Sequence, residues 1–183
     1  MQEPIPGVAD TGPGAAFGPT GKALLAVSKA AAIAGGLIFV ALVVMSIVSI
    51  VGRKLVSTPI PGDVEVLQMC AAFGCAAFFA YCHLSNSDVK VDFFTAKASP
   101  ATVHRLDAFG SLLFGTVGAL LAWRSAAGAL VVRASEETSM ILGWPLWVAQ
   151  ALMVPGLVLM ALAGFYMVVH HLVQAGRDTG SAA

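Results

Sequence analysis

Charged side chains are scarce in this sequence. Of its 183 residues, 11% are Asp, Glu, Lys or Arg and 58% are hydrophobic, whereas an ordinary soluble domain is about a quarter charged. So few charges cannot cover a water-facing surface, which argues against a soluble fold. The ten basic and ten acidic residues cancel, and the lack of a basic excess argues against nucleic-acid binding.

Cysteines and catalytic motifs are equally sparse. Cys70, Cys75 and Cys82 all fall in one apolar segment, so we expect buried free thiols and no disulfide framework. The sequence shows no nucleophile–base set, metal-ligand cluster or phosphate-binding loop, and an enzyme needs at least one such group. We therefore expect no catalytic residue, cofactor or metal ion.

Long uncharged runs are what the sequence has instead. Residues 30–51 read AAAIAGGLIFVALVVMSIVSIV, without a charge, and roughly 20 apolar residues cross the bilayer hydrocarbon. Less pure runs at 66–82, 106–123 and 140–169 predict three more spans. The predicted fold class is all-α integral membrane, with four transmembrane helices at about 27–52, 63–83, 100–132 and 145–172.

The predicted membrane domain covers residues 23–174. A Gly- and Pro-rich tail at 1–22, expected to be disordered, precedes it, and a C-terminal tail at 175–183 follows. Lys and Arg are more frequent on the side of both termini, so the positive-inside rule predicts that both termini are cytoplasmic. The mixed apolar and charged run NSDVKVDFF at 86–94 predicts a short inner interfacial segment between helices 2 and 3.

Opposite charges flank the short turn between helices 1 and 2. Arg53 ends the first apolar run, and Glu65 opens the second. Glu65 either stabilises the start of its helix through the helix dipole or makes a polar contact, to Arg53 or to a partner subunit. Both residues are candidate interface residues.

Small side chains crowd helix 2 in the run AAFGCAAFFA at 71–80. Small residues mark close helix contacts in lipid, either within this bundle or against a second membrane protein, and Ala72 and Ala76 are candidate contact positions. Arg124, inside predicted helix 3, either snorkels to the membrane surface or belongs to an ion path. We find no internal repeat of the kind that underlies stand-alone transporters.

The order of these features resembles the small membrane subunit of tripartite ATP-independent periplasmic (TRAP) transporters, the DctQ-like family. The similarity rests on Arg53, Glu65, the small-residue run, the segment Val89-Lys90-Val91-Asp92 and, loosely, ILGWPLWVAQALMVPG at 141–156. It adds Asp92 to the candidate structural residues.

The resemblance implies a scaffold subunit in the bacterial inner membrane. A large, DctM-like membrane subunit would carry out sodium-coupled uptake of an organic acid, delivered by a DctP-like periplasmic binding protein. Two alternatives stay open at this point: a four-helix membrane redox protein with haem or thiols, and a stand-alone small transporter. His83, His104, His170 and His171 fall at predicted helix ends, which disfavours haem, because its axial ligands face each other within a bundle.

Overall fold

The computed structural model describes residues 17–57, 60–87 and 100–181, and over these ranges the chain forms four α-helices and no strand. The helices are α1 Pro19–Val56, α2 Asp63–Leu84, α3 Pro100–Ala134 and α4 Leu146–Ser181. All are long and apolar enough to cross a membrane, which confirms the predicted fold class. The interfacial segment predicted between helices 2 and 3, including Asp92, lies outside the described residues.

Two helices extend beyond the apolar runs that predicted them. α1 begins at Pro19 rather than near residue 27, and α4 continues to Ser181 rather than ending near residue 172. A hydrophobic run marks only the part that lipid can surround, whereas a helix continues until its backbone is interrupted. The 38 residues of α1 extend about 57 Å, well beyond the roughly 30 Å of bilayer hydrocarbon.

Helices α3 and α4 share the most extensive contact in the bundle, and it passes through glycines. A β-carbon added to Gly164 of α4 would lie 2.5 Å from the backbone of Gly115 in α3. One added to Gly118 would lie 2.9 Å from the backbone nitrogen of Ala161. The two backbones are therefore in direct contact, as close-packed membrane helices require.

The remaining contacts place α2 between α4 and α1. Ala76 of α2 is only 2% exposed, because it faces Gly156 of α4, where an added β-carbon would lie 2.8 Å from the Ala76 carbonyl. Gly35 of α1 meets Gly74 of α2, with an added β-carbon 3.1 Å from the Gly74 carbonyl oxygen. The helices thus form a row, α3–α4–α2–α1, in which α1 packs mainly on α2.

A row of helices has little interior. One buried cluster lies between α2, α4 and the start of α1 and consists of Phe17, Ala80, Leu84, Ala163 and Met167. A second consists of Ala76, Ala122, Leu157 and Met160. Most long aliphatic side chains, especially those of α1, are exposed and need lipid or another protein to cover them.

The cysteines are free, as predicted, but the prediction that they are buried is wrong. Cys75 is exposed, and Cys70 and Cys82 are half-buried. The buried face of α2 is formed by Ala76, Ala77 and Ala80, so the bulkier thiols lie around its sides.

The glycine contact between α3 and α4 predicts a specific cost for a single methyl group. Gly164→Ala forces the two backbones apart, and we expect it to destabilise the bundle by about 1–3 kcal/mol, the usual cost of overpacking. Gly110→Ala is the matched control, because an added β-carbon there has no neighbour within 4 Å. It should be neutral or stabilising by about 0.5–1 kcal/mol through helix propensity. Reversible unfolding in mixed micelles measures both, and equal stabilities would contradict the contact.

Candidate functional site

Asp63 joins the end of α1 to the start of α2. It follows Gly62, whose φ of 75° is a left-handed conformation that glycine adopts without strain. The Asp63 carboxylate accepts a hydrogen bond from the buried Ser49 hydroxyl and lies 3.8 Å from the Arg53 guanidinium. Ser49 and Arg53 are four residues apart, so the same face of α1 presents both. The partly exposed ion pair with Arg53 contributes little, and the hydrogen bond from Ser49 is the better defined link between the two helices.

Glu65 holds the loop that leads into α4. One carboxylate oxygen accepts the backbone N–H of Ile141 at 2.9 Å, and the other accepts that of Leu142 at 3.1 Å. The Leu142 side chain lies directly over Gly62, where an added β-carbon would come within 2.5 Å of it. We call Gly62, Glu65, Ile141 and Leu142 the loop latch. Bonds from N–H groups to an ionised carboxylate are strong, so the latch fixes the loop against α2.

The structure does not pair Arg53 with Glu65, which was one possibility from the sequence. Each of the two residues has a different neighbour. Asp63 takes the place beside Arg53, while Glu65 binds the loop before α4. Successive residues of a helix are rotated by about 100°, so Asp63 and Glu65 point to nearly opposite sides of α2. Sequence proximity to the turn did not reveal which acid faces α1.

Backbone contacts keep the loop between α3 and α4 compact. The Ser139 N–H donates to the Trp144 carbonyl at 2.8 Å, and the Trp144 N–H donates to the Ser139 hydroxyl at 3.2 Å. The Leu146 N–H donates to the Glu137 carbonyl at 3.1 Å, and Gly143 adopts a φ of 66° at the bend. The loop is therefore an ordered element, held by its own backbone and by the latch.

The ordered loop presents an apolar tip. Met140 is 99% exposed and Ile141 is 64% exposed, and Trp144 nearby is also exposed. Exposed apolar side chains grouped on an ordered turn are typical of contact with a membrane surface or with another protein.

A groove of about 520 Å³ lies beside the latch, between α2, α4 and the loop. Glu65, Gln68 and Ala72 line it from α2, and Gln150 and Met153 line it from α4. The Gln150 side-chain oxygen is buried and has no hydrogen-bond partner in the described part of the chain. The groove thus combines apolar walls with a polar atom that this bundle does not satisfy, which suits a segment of another protein.

A known protein family matches most of this chain. The model of the DctQ component of tripartite ATP-independent periplasmic transporters matches residues 42–174. The chain belongs to this family. Searches of curated proteins and of solved structures found no significant match. The match covers both the latch and the groove, and it confirms the resemblance seen in the sequence.

The other predicted site residues of this DctQ chain have different surroundings. Ala76 packs within the bundle against Gly156, which is the first of its two interpretations. Ala72 is half-buried and lines the groove, so it is available to a partner. Arg124 is exposed on α3, as snorkelling requires, and Asp92 lies outside the described residues.

The opposite end of the DctQ chain brings together three residues that the sequence analysis did not group. His104 and Asp107 lie in the first turns of α3, and His171 lies near the end of α4; one ligand atom from each falls within 4.8 Å of the other two. The three-residue spacing of His104 and Asp107 was visible in the sequence. Their approach to His171 follows from the antiparallel packing of α3 and α4, which no local pattern reveals.

The latch predicts that Glu65 protects two particular amides. Glu65→Ala removes both acceptors, and we expect the Ile141 and Leu142 amide hydrogens to exchange several-fold faster, because the Glu65 carboxylate accepts both of these N–H groups. Hydrogen exchange read by mass spectrometry on loop peptides measures this.

Asp63→Asn is the matched control for the latch. It perturbs the neighbouring turn but leaves the Glu65 carboxylate in place, so exchange at Ile141 and Leu142 should stay at the parental rate. If both variants accelerate exchange in the loop equally, the protection comes from the turn as a whole and the latch is wrong.

Proposed function

We propose that this chain is the scaffold subunit of a TRAP transporter. It packs against a large, DctM-like membrane subunit and supports that subunit's sodium-coupled uptake of an organic acid, which a DctP-like periplasmic protein delivers. Membership of the DctQ family supports the transport role. The observation that carries the scaffold role is the open row of helices. Far more of its large hydrophobic side chains are exposed than are buried between the helices.

The positions of the charged residues favour a supporting role over independent transport. A carrier for an anion and sodium holds polar groups near the middle of the membrane, often at breaks in its helices. Here Asp63 and Glu65 lie in the first turn of α2, and Asp107 lies near the start of α3. Arg124 is exposed. The described helices thus offer no buried charged path across their middle.

We place the contact with the large subunit at the groove and the apolar tip. An unsatisfied buried acceptor such as the Gln150 oxygen is costly, and a donor from the partner would remove that cost. Burial of Met140 and Ile141, both largely exposed here, would add apolar area. In this arrangement Glu65 acts indirectly, by fixing the loop that presents the tip.

The proposed membrane is the bacterial inner membrane, with both termini in the cytoplasm. The latch, groove and tip then lie on the periplasmic side. Trp144 and Trp147 flank the start of α4 at this end, and tryptophan prefers the membrane–water interface. The Arg133 guanidinium lies 5.1 Å from the Trp147 ring, a cation–π contact that also suits an interfacial position.

Site-specific photo-crosslinking tests the assembly and the contact together. A photoreactive amino acid replaces Met140 or Gln68 in cells that also express the large subunit and the binding protein. We expect both positions to crosslink to the large subunit, because they border the groove and tip. Leu120 on α3, which is 61% exposed, is the control for a helix face outside the groove.

The outcomes separate the two parts of the proposal. If the large subunit neither crosslinks to this chain nor purifies with it in mild detergent, the scaffold role is wrong. If it purifies with this chain and crosslinks to Leu120 but to neither groove position, the scaffold role stands and the proposed contact is wrong.

A further inference from the structure

Three potential metal ligands converge between the first turns of α3 and the C-terminal third of α4. His171 is buried, at 5% exposure, and His104 and Asp107 are half-buried beside it. The ring centres of His104 and His171 are 5.9 Å apart. One nitrogen from each histidine and one carboxylate oxygen of Asp107 all lie within 4.8 Å of one another.

We propose that His104, Asp107 and His171 form a binding site for a divalent transition-metal ion such as Zn²⁺. Zn²⁺ binds imidazole nitrogen and carboxylate oxygen at about 2.0–2.2 Å, so ligand atoms in a tetrahedral site lie about 3.3 Å apart. Ligand atoms that lie within 4.8 Å of one another need to approach by at most about 1.5 Å to reach that separation. Two imidazoles favour Zn²⁺ over Mg²⁺ or Ca²⁺, which prefer oxygen ligands.

Three protein ligands leave one position of a tetrahedral site for water. The neighbouring histidine, His170, does not fill this position in the present arrangement. The His170 ring is nearly perpendicular to that of His171, at 79°, and packs edge-on against Phe17 with ring centres 5.0 Å apart. His170 therefore belongs to the packing of α4 against Phe17, just before α1.

The bound ion would join the first turns of α3 to the last turns of α4. The glycine contact at Gly115 and Gly164 holds the middle of the same helix pair, so the ion would hold an end that this contact does not reach. This inference does not rest on the transporter role, because it concerns only how two helices of this chain are joined.

The test uses the full, untagged chain in detergent, since a polyhistidine tag would itself bind zinc. After chelation and dialysis, Zn²⁺ is titrated in competition with a chromogenic chelator. We expect one Zn²⁺ per chain and a higher unfolding temperature when it is bound. Co²⁺ in place of Zn²⁺ should give the intense visible bands of a tetrahedral complex, a readout that needs no variant.

Variants identify the ligands. Asp107→Asn and His171→Gln should each weaken Zn²⁺ binding at least about 100-fold. Loss of a residue that only hydrogen-bonds to a metal ligand already weakens metal binding by about 10–100-fold. Asp107→His supplies a replacement ligand and should restore most of the affinity. His83→Gln is the matched control, because His83 is also buried but stacks on Phe114 with ring centres 4.1 Å apart.

Several results would overturn the site. These are no stoichiometric Zn²⁺ binding by the parent chain, unchanged affinity in Asp107→Asn, or an equal loss in His83→Gln. Circular dichroism and gel filtration confirm folding of each variant. If His171→Gln does not fold, the comparison of Asp107→Asn with Asp107→His decides, because both substitutions affect only the half-buried carboxylate position.

Discussion

The structure depends on close approach of helix backbones. Lipid is as apolar as the helix surfaces, so no hydrophobic force brings membrane helices together, and packing must do so. Gly115, Gly118 and Gly164 let α3 and α4 touch, and Gly156 admits Ala76 of α2. Each contact joins one pair of helices, so the result is a row with two exposed faces and little interior.

Polar side chains gather at both ends of this row. At one end Glu65 holds Ile141 and Leu142, so the loop into α4 is fixed to α2. At the other end His104, Asp107 and His171 converge between α3 and α4. Glycines thus let α3 and α4 touch in the middle, and polar side chains gather at both ends of the bundle.

The sequence predicted the class of fold because long uncharged runs have one stable arrangement in a membrane. It also singled out Ala76 and Glu65, since small residues and edge charges are informative in apolar helices. The sequence did not predict which residues of the bundle these side chains contact. That Asp63 and not Glu65 lies beside Arg53 depends on helix rotation, and the meeting of Asp107 with His171 depends on how α3 and α4 pack. The helix ends at Pro19 and Ser181 were missed because hydropathy follows lipid contact and not backbone geometry.

In the scaffold role, this DctQ chain supports transport by another subunit and carries nothing itself. Uptake of a labelled organic acid into proteoliposomes with an inward sodium gradient is the decisive measurement. We expect no uptake above empty vesicles with this chain alone, and strong uptake only when the large subunit and the binding protein are also present. Sodium-dependent accumulation by vesicles that contain this chain alone would contradict it.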